Sequence, residues 1–159
     1  MRNPFRILLL LTRVRRPSRI AVMDVVTDGL WLRRGYQALT FFGTIVTATE
    51  ADARLMRQGD SSLARHEMIH LRQAQSTHDS WLLFYLLYVW YYLRALPQNR
   101  RMKNAAYLLN PFELEAYRHM DDPAYLERCA DGGATEWRTF ARMSPRETLN
   151  RFYHNTTES

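Results

Sequence analysis

Thirteen consecutive residues, Trp81–Leu93, are aromatic or aliphatic and carry no charge. This run constrains the fold more than any other, because so much apolar surface must leave water. No Gly or Pro interrupts the chain from Leu63 to Leu96, so the run is read as a helix over about 80–96. It falls short of the roughly 20 residues that span a bilayer as a helix. Two placements remain: a core helix, or one lying at a membrane interface. Apolar nearly all round, it is expected to be buried. A chain of 159 residues can build one core around it but not two comfortable domains. A hydrophobic fraction of 47% excludes a disordered chain.

The net charge of +6 is unevenly placed. Residues 1–34 hold eight Arg against Asp24 and Asp28, whereas the remainder balances. This basic N-terminal segment is set apart from a single domain over 35–159, while remaining available to its fold. It reads either as ordinary solvated charge or as a contact for anionic lipid or nucleic acid. No recognised nucleic-acid-binding motif accompanies it, so lipid is favoured. Membrane-surface contact would run through residues 1–34 and 81–93. The short run Ile7–Leu11, closed by Arg13, Arg15 and Arg16 without a small-residue cleavage site, is read as retained. Cys129 stands alone. It cannot form an internal disulfide, which fits a reducing, cytoplasmic setting, peripheral at the membrane. It cannot build a thiolate metal cluster either.

Tyr36–Thr49 is rich in Thr, aromatic and β-branched residues and is split by Gly43, predicting two short strands or one bulged strand. Asp28-Gly29 predicts a turn. A helix is expected from Leu63, the next is capped by Asp79 or Ser80, and another starts at Asn110-Pro111 and runs to about Cys129, closed by Asp131-Gly132-Gly133. Ser144-Pro145-Arg146-Glu147 signals a last start. The fold class is α+β, mainly helical, with a short N-terminal β-sheet or hairpin packed on the helix after Leu63 and the buried helix that follows.

That first helix carries His66-Glu67-Met68-Ile69-His70. Residues four apart lie on one helical face, so the two imidazoles can bind one metal ion. Glu67 is placed to reach a water at that ion and act as its general base. The alternative is two solvated His on a polar face. A catalytic metal of this kind takes three protein ligands. A third His six residues on is excluded, because position 76 is Ser and position 73 is Gln. A carboxylate from a later helix remains, and Asn110–Tyr117 offers Glu113 or Glu115. The two point about 200° apart around a helix, so they cannot share one ion. Glu113 also stands where a reciprocal helix cap would bond the Asn110 backbone.

His-Glu-Met-Ile-His followed by Phe-Glu-Leu-Glu-Ala-Tyr resembles the gluzincin metallopeptidases, and is most like small uncharacterised bacterial zincin-like proteins. The resemblance covers about 66–117. It implies a minimal zincin-like domain, zinc on His66, His70 and Glu113, Glu67 as catalytic base, and a peptide or protein substrate. Membrane-associated gluzincins place an Asp four residues after the ligand Glu, where it orients a ligand His. Tyr117 stands there in this chain. Either Asp79, Asp121 or Asp122 takes over that task, or Tyr117 serves otherwise, as in steadying an oxyanion. The expected function is a zinc-dependent hydrolase, foremost a metallopeptidase. The alternative is a zinc-binding, catalytically silent interaction domain.

Overall fold

The computed structural model describes residues 15–27, 38–130 and 133–154. The run Ile7–Leu11, the Asp28-Gly29 turn, Tyr36-Gln37 and Asp131-Gly132 lie outside the described residues, as does the side chain of His154. The class is α+β and mainly helical, as expected.

The stretch around Gly43 resolves into two strands. β1 (Asp24–Thr27), β2 (Ala38–Phe41) and β3 (Thr44–Thr47) form a sheet in the order β1-β3-β2. β2 and β3 are an antiparallel hairpin, with Phe41 opposite Thr44 and Ala38 opposite Thr47. Phe42 and Gly43 form the turn with φ of 48° and 86°. Two successive left-handed residues give the turn whose twist matches paired strands. Gly43 takes that conformation freely, but Phe42 must be held in it. Its N–H donates to the Tyr85 hydroxyl at 3.1 Å, and its ring lies 4.8 Å from the Tyr85 ring. β1 pairs in parallel with β3, so the basic N-terminal segment contributes a strand to the sheet.

Helix ends follow local capping chemistry. α1 (Glu50–Gln58) starts at Thr49, whose side chain accepts from Asp52 N, and stops at Gly59 with φ 78°. α2 (Ser62–Ser76) starts at Ser61, which accepts from Ala64 N. His78 and Asp79 both take positive φ and reverse the chain. Ser80 then caps α3 (Trp81–Ala95) by accepting from Leu83 N. α4 (Ala105–Leu108) is a single turn. α5 (Pro111–His119) has Asn110 as cap and Pro111 at its first position. It ends ten residues short of Cys129, because Asp122 precedes Pro123 and that pairing disfavours helical backbone. α6 (Tyr125–Arg128) restarts beyond the proline, followed by α7 (Trp137–Ala141) and α8 (Pro145–Leu149). Ser144 and Glu147 form the expected reciprocal cap of α8.

α2 runs through the middle of the core. On one flank Leu71 and Ala74 join Trp81, Phe84, Phe112 and Trp137. On the other, Ile69 meets Ala116, Tyr125, Cys129 and Ala134. Phe112 is fully buried, its ring 4.8 Å from Phe84 and 4.7 Å from Trp137. Truncating such a ring costs about 3–5 kcal/mol. Gly133 lets the chain after α6 press on α2. A Cβ there would stand 2.3 Å from Arg72 O, and Ala134 N donates to that same carbonyl.

One expectation fails. α3 is not buried all round: Trp81 and Phe84 face the core, but Leu86 and Trp90 are 60% and 61% exposed. Among the described residues, elements pack on only one side of this helix.

Candidate metal centre

The i, i+4 spacing puts His66 and His70 on one face of α2, and the first turn of α5 brings Glu113 over them. All three side chains are buried. The two imidazole Nε2 atoms are 3.2 Å apart. Glu113 Oε2 is 3.3 Å from His66 Nε2, and its Oε1 is 3.5 Å from His70 Nε2. Taking one atom from each residue, the three donors lie within 4.8 Å of one another. This group could hold a metal ion. Glu113 does not cap its own helix: the Asn110 N–H donates to Tyr107 O instead. Glu113 Oε1 accepts from the Tyr88 hydroxyl at 2.7 Å, while buried Oε2 has no hydrogen-bond partner among the described residues.

His70 is held by a chain of hydrogen bonds that fixes its proton. Gln73 Nε2 faces two pure acceptors, Phe112 O at 2.9 Å and Glu115 Oε2 at 2.7 Å. The amide nitrogen must therefore point at them, which turns Oε1 toward His70 Nδ1 at 2.8 Å. An amide oxygen only accepts, so Nδ1 carries the hydrogen. Nε2 of the neutral ring is then a lone pair aimed at Glu113 and His66. Glu115 anchors this chain, since its Oε1 also accepts from the Tyr125 hydroxyl at 2.7 Å and Glu136 N at 2.6 Å.

The electrostatics carry the mark of a cation site. Burial works against a charged His70, but the Glu113 carboxylate overrides it and raises the imidazole to about 9. Burial likewise opposes ionised Glu113, yet the His70 charge and the bonds from His66 and His70 hold it well below the usual carboxylate range. Without a metal, a proton is the cation that reconciles these converging lone pairs. Glu115 shifts the other way: burial raises it, against the bonds it accepts from Gln73 and Tyr125.

Glu67 leaves α2 toward the sheet. Its Oε2 accepts from Thr40 Oγ1 on β2 at 2.6 Å. Glu67, both His and Glu113 line a cavity of about 270 Å³ walled by Leu39, Phe41 and Tyr107 among others. Among the described residues β2 is an edge strand alongside it, and Thr40 O accepts from the Tyr85 hydroxyl at 2.9 Å. The Tyr117 ring stands edge-on to His66 at 4.7 Å, and its hydroxyl is 3.3 Å from that of Tyr107. Burial, then the Glu113 charge, raises the Tyr107 phenol, so it stays protonated.

The structure thus gathers His66, Glu67, His70, Glu113 and Tyr117, and turns Glu115 away. Asp79, Asp121 and Asp122 do not take the place of the one missing at Tyr117. Asp79 accepts from Ser18, Asp121 from Ser62, and Asp122 from Ala124 N and Arg128. His66 Nδ1 is buried without a hydrogen-bond partner among the described residues. His119 stacks on Tyr125 and pairs with Glu136, as does Arg118, so neither faces the site. Sequence reasoning missed Gln73 as the group that sets His70, and Tyr88 as donor to Glu113. Comparison with protein-family models, with curated proteins and with solved structures gives no match.

Proposed function

We propose that this chain is a zinc-dependent hydrolase, foremost a metallopeptidase, with His66, His70 and Glu113 as ligands and Glu67 as general base. The observation that carries the reading is the convergence of the three donors beside Glu67 on a cavity flanked by an edge strand. Donors about 2.0–2.1 Å from a tetrahedral zinc stand about 3.3 Å apart. The two imidazole nitrogens are 3.2 Å apart, and Glu113 comes as near to each through a different oxygen, Oε2 at 3.3 Å from His66 and Oε1 at 3.5 Å from His70, so one shared oxygen needs a small closure of the group. The imidazole and carboxylate donor set suits zinc, and the orphaned Glu113 Oε2 supplies a free acceptor.

When bound, zinc would polarise a carbonyl and lower the pKa of its water to about 7. Glu67, its carboxylate fixed by Thr40, would take a proton from the attacking water and pass it to the leaving amine. Tyr107 and Tyr117 bring hydroxyls for the developing oxyanion. β2 pairs with an extended peptide by strand addition, and the aromatic walls of the cavity take an apolar side chain. The lone Cys129 is free. This fits a reducing compartment, and we place the chain in the cytoplasm, at the membrane periphery; among the described residues no helix is long and apolar enough to cross a membrane.

The test is Glu67→Gln. It should keep stoichiometric zinc and lose hydrolysis of a mixed peptide library by at least about 100-fold. Equal turnover by the variant would remove the reading. A second reading, a zinc-holding but catalytically silent interaction domain, is favoured by one observation: buried His66 Nδ1 has no hydrogen-bond partner among the described residues, where working enzymes place a carboxylate. Full zinc occupancy without turnover, and loss of fold in His66→Ala, would select it.

A further inference from the structure

Leu82, Leu86, Val89, Trp90 and Leu93 are each more than half exposed. Their spacing along α3 is that of one helical face. Soluble chains seldom leave so continuous an apolar stripe in water. The charges beside it are mostly of one sign. Between Asp79 and Glu113 the chain has no acidic residue, while Arg100, Arg101 and Lys103 follow the helix and are exposed. The helix start is cationic as well. The Trp81 indole donates to Arg15 O at 3.0 Å, which brings exposed Arg15, Arg16 and Arg19 to that end. Asp79, the nearby acid, is taken up by the N–H and hydroxyl of Ser18. Among the described residues, no salt bridge neutralises any of these six cations.

We propose that the outer face of α3 docks on the surface of an anionic phospholipid bilayer. An apolar stripe flanked at both ends by uncompensated cations complements a membrane, which offers hydrocarbon beneath a plane of negative headgroups. At 15 residues, the helix is about 22 Å long, too short to cross a hydrocarbon core of about 30 Å but suited to lying in its interface. Trp90 on the stripe is the side chain type that settles at headgroup depth. The site's aromatic wall residues Phe84, Tyr85 and Tyr88 lie on the same helix, so docking would hold the cavity close to the bilayer. The inference does not depend on the chain being a hydrolase.

The experiment is co-sedimentation of the full chain with vesicles of phosphatidylcholine, with and without phosphatidylglycerol. The chain should pellet with anionic vesicles and much less with neutral ones, and added salt should release it. Leu86→Gln with Trp90→Gln should weaken binding at least about tenfold, and Arg100→Gln with Arg101→Gln severalfold. In the unaltered chain, vesicles brominated on their acyl chains should quench tryptophan fluorescence, which guards against a misfolded variant. Failure to bind anionic vesicles, binding unchanged by Leu86→Gln with Trp90→Gln, or absence of quenching would overturn the proposal. So would a dimer without affinity for vesicles that the same pair of substitutions splits into monomers, since a second copy would then cover the face.

Discussion

Glu113 and Glu115 are two residues apart on one short helix, both buried, and they meet opposite surroundings. Around Glu115 everything donates: the Gln73 amide, the Tyr125 hydroxyl and the Glu136 N–H. Around Glu113 Tyr88 donates, and the Nε2 atoms of two imidazoles converge on the same place. A buried carboxylate ringed by donors is complete without an ion and serves the fold. One that faces two imidazole nitrogens needs a shared cation, a proton on the ring or a metal ion. The two are coupled through Gln73, which links Glu115 to His70. Glu115 thereby helps set the direction in which His70 faces Glu113.

That contrast can be broken by substitution. Glu113→Gln should weaken zinc binding by on the order of 100–1000-fold, as read by competition with a chromophoric chelator. Glu115→Leu should act elsewhere, leaving buried donors unpaired and costing about 3–5 kcal/mol of metal-free stability in urea. If both variants lost only zinc, or both only stability, the division between them would be wrong. Gln73→Leu sits between the two. It frees the His70 ring without touching the ion, and should weaken zinc about 10–100-fold with a smaller loss of stability.

The last handle is pH. In the metal-free chain His70 is raised from 6.5 to about 9. A raised folded value means the His70–Glu113 pairing contributes fully below about 6.5 and is lost as pH rises through about 9. Metal needs the neutral ring, so apparent zinc affinity should climb by up to about tenfold per pH unit across that window. The gap in melting temperature between zinc-loaded and chelated protein should therefore widen from pH 6.5 to 9. A gap that stays flat or narrows would show that His70 is not held protonated by Glu113.

Much of this was legible because it is local. Ser61, Ser80, Asn110 and Ser144 each cap the helix their sequence context announces. The one-turn spacing of His66 and His70 needs no tertiary information. Glu113 was singled out by the resemblance, against the alternative that it caps its own helix. Gln73 was not: three residues past His70 it reads as an ordinary helical residue, and only packing α2 against α5 gives it three partners. α1 was passed over despite the Thr49 cap and Gly59 stop, because its apolar face is narrow. β1 was missed because four residues show too little alternation. The stop of α5 was signalled by Pro123 and overlooked. For α3 the pattern said that every side avoids water, but periodicity cannot say which side the rest of the chain will cover.

The central claim is that His66, His70 and Glu113 form a metal centre. Its most direct test is zinc per chain, measured by plasma mass spectrometry on protein purified without chelators, equilibrated with micromolar zinc and desalted. The account predicts about one zinc per chain, falling to background in Glu113→Gln and retained in the folded fraction of Glu115→Leu. A wild-type chain that returns from this treatment without zinc would contradict it.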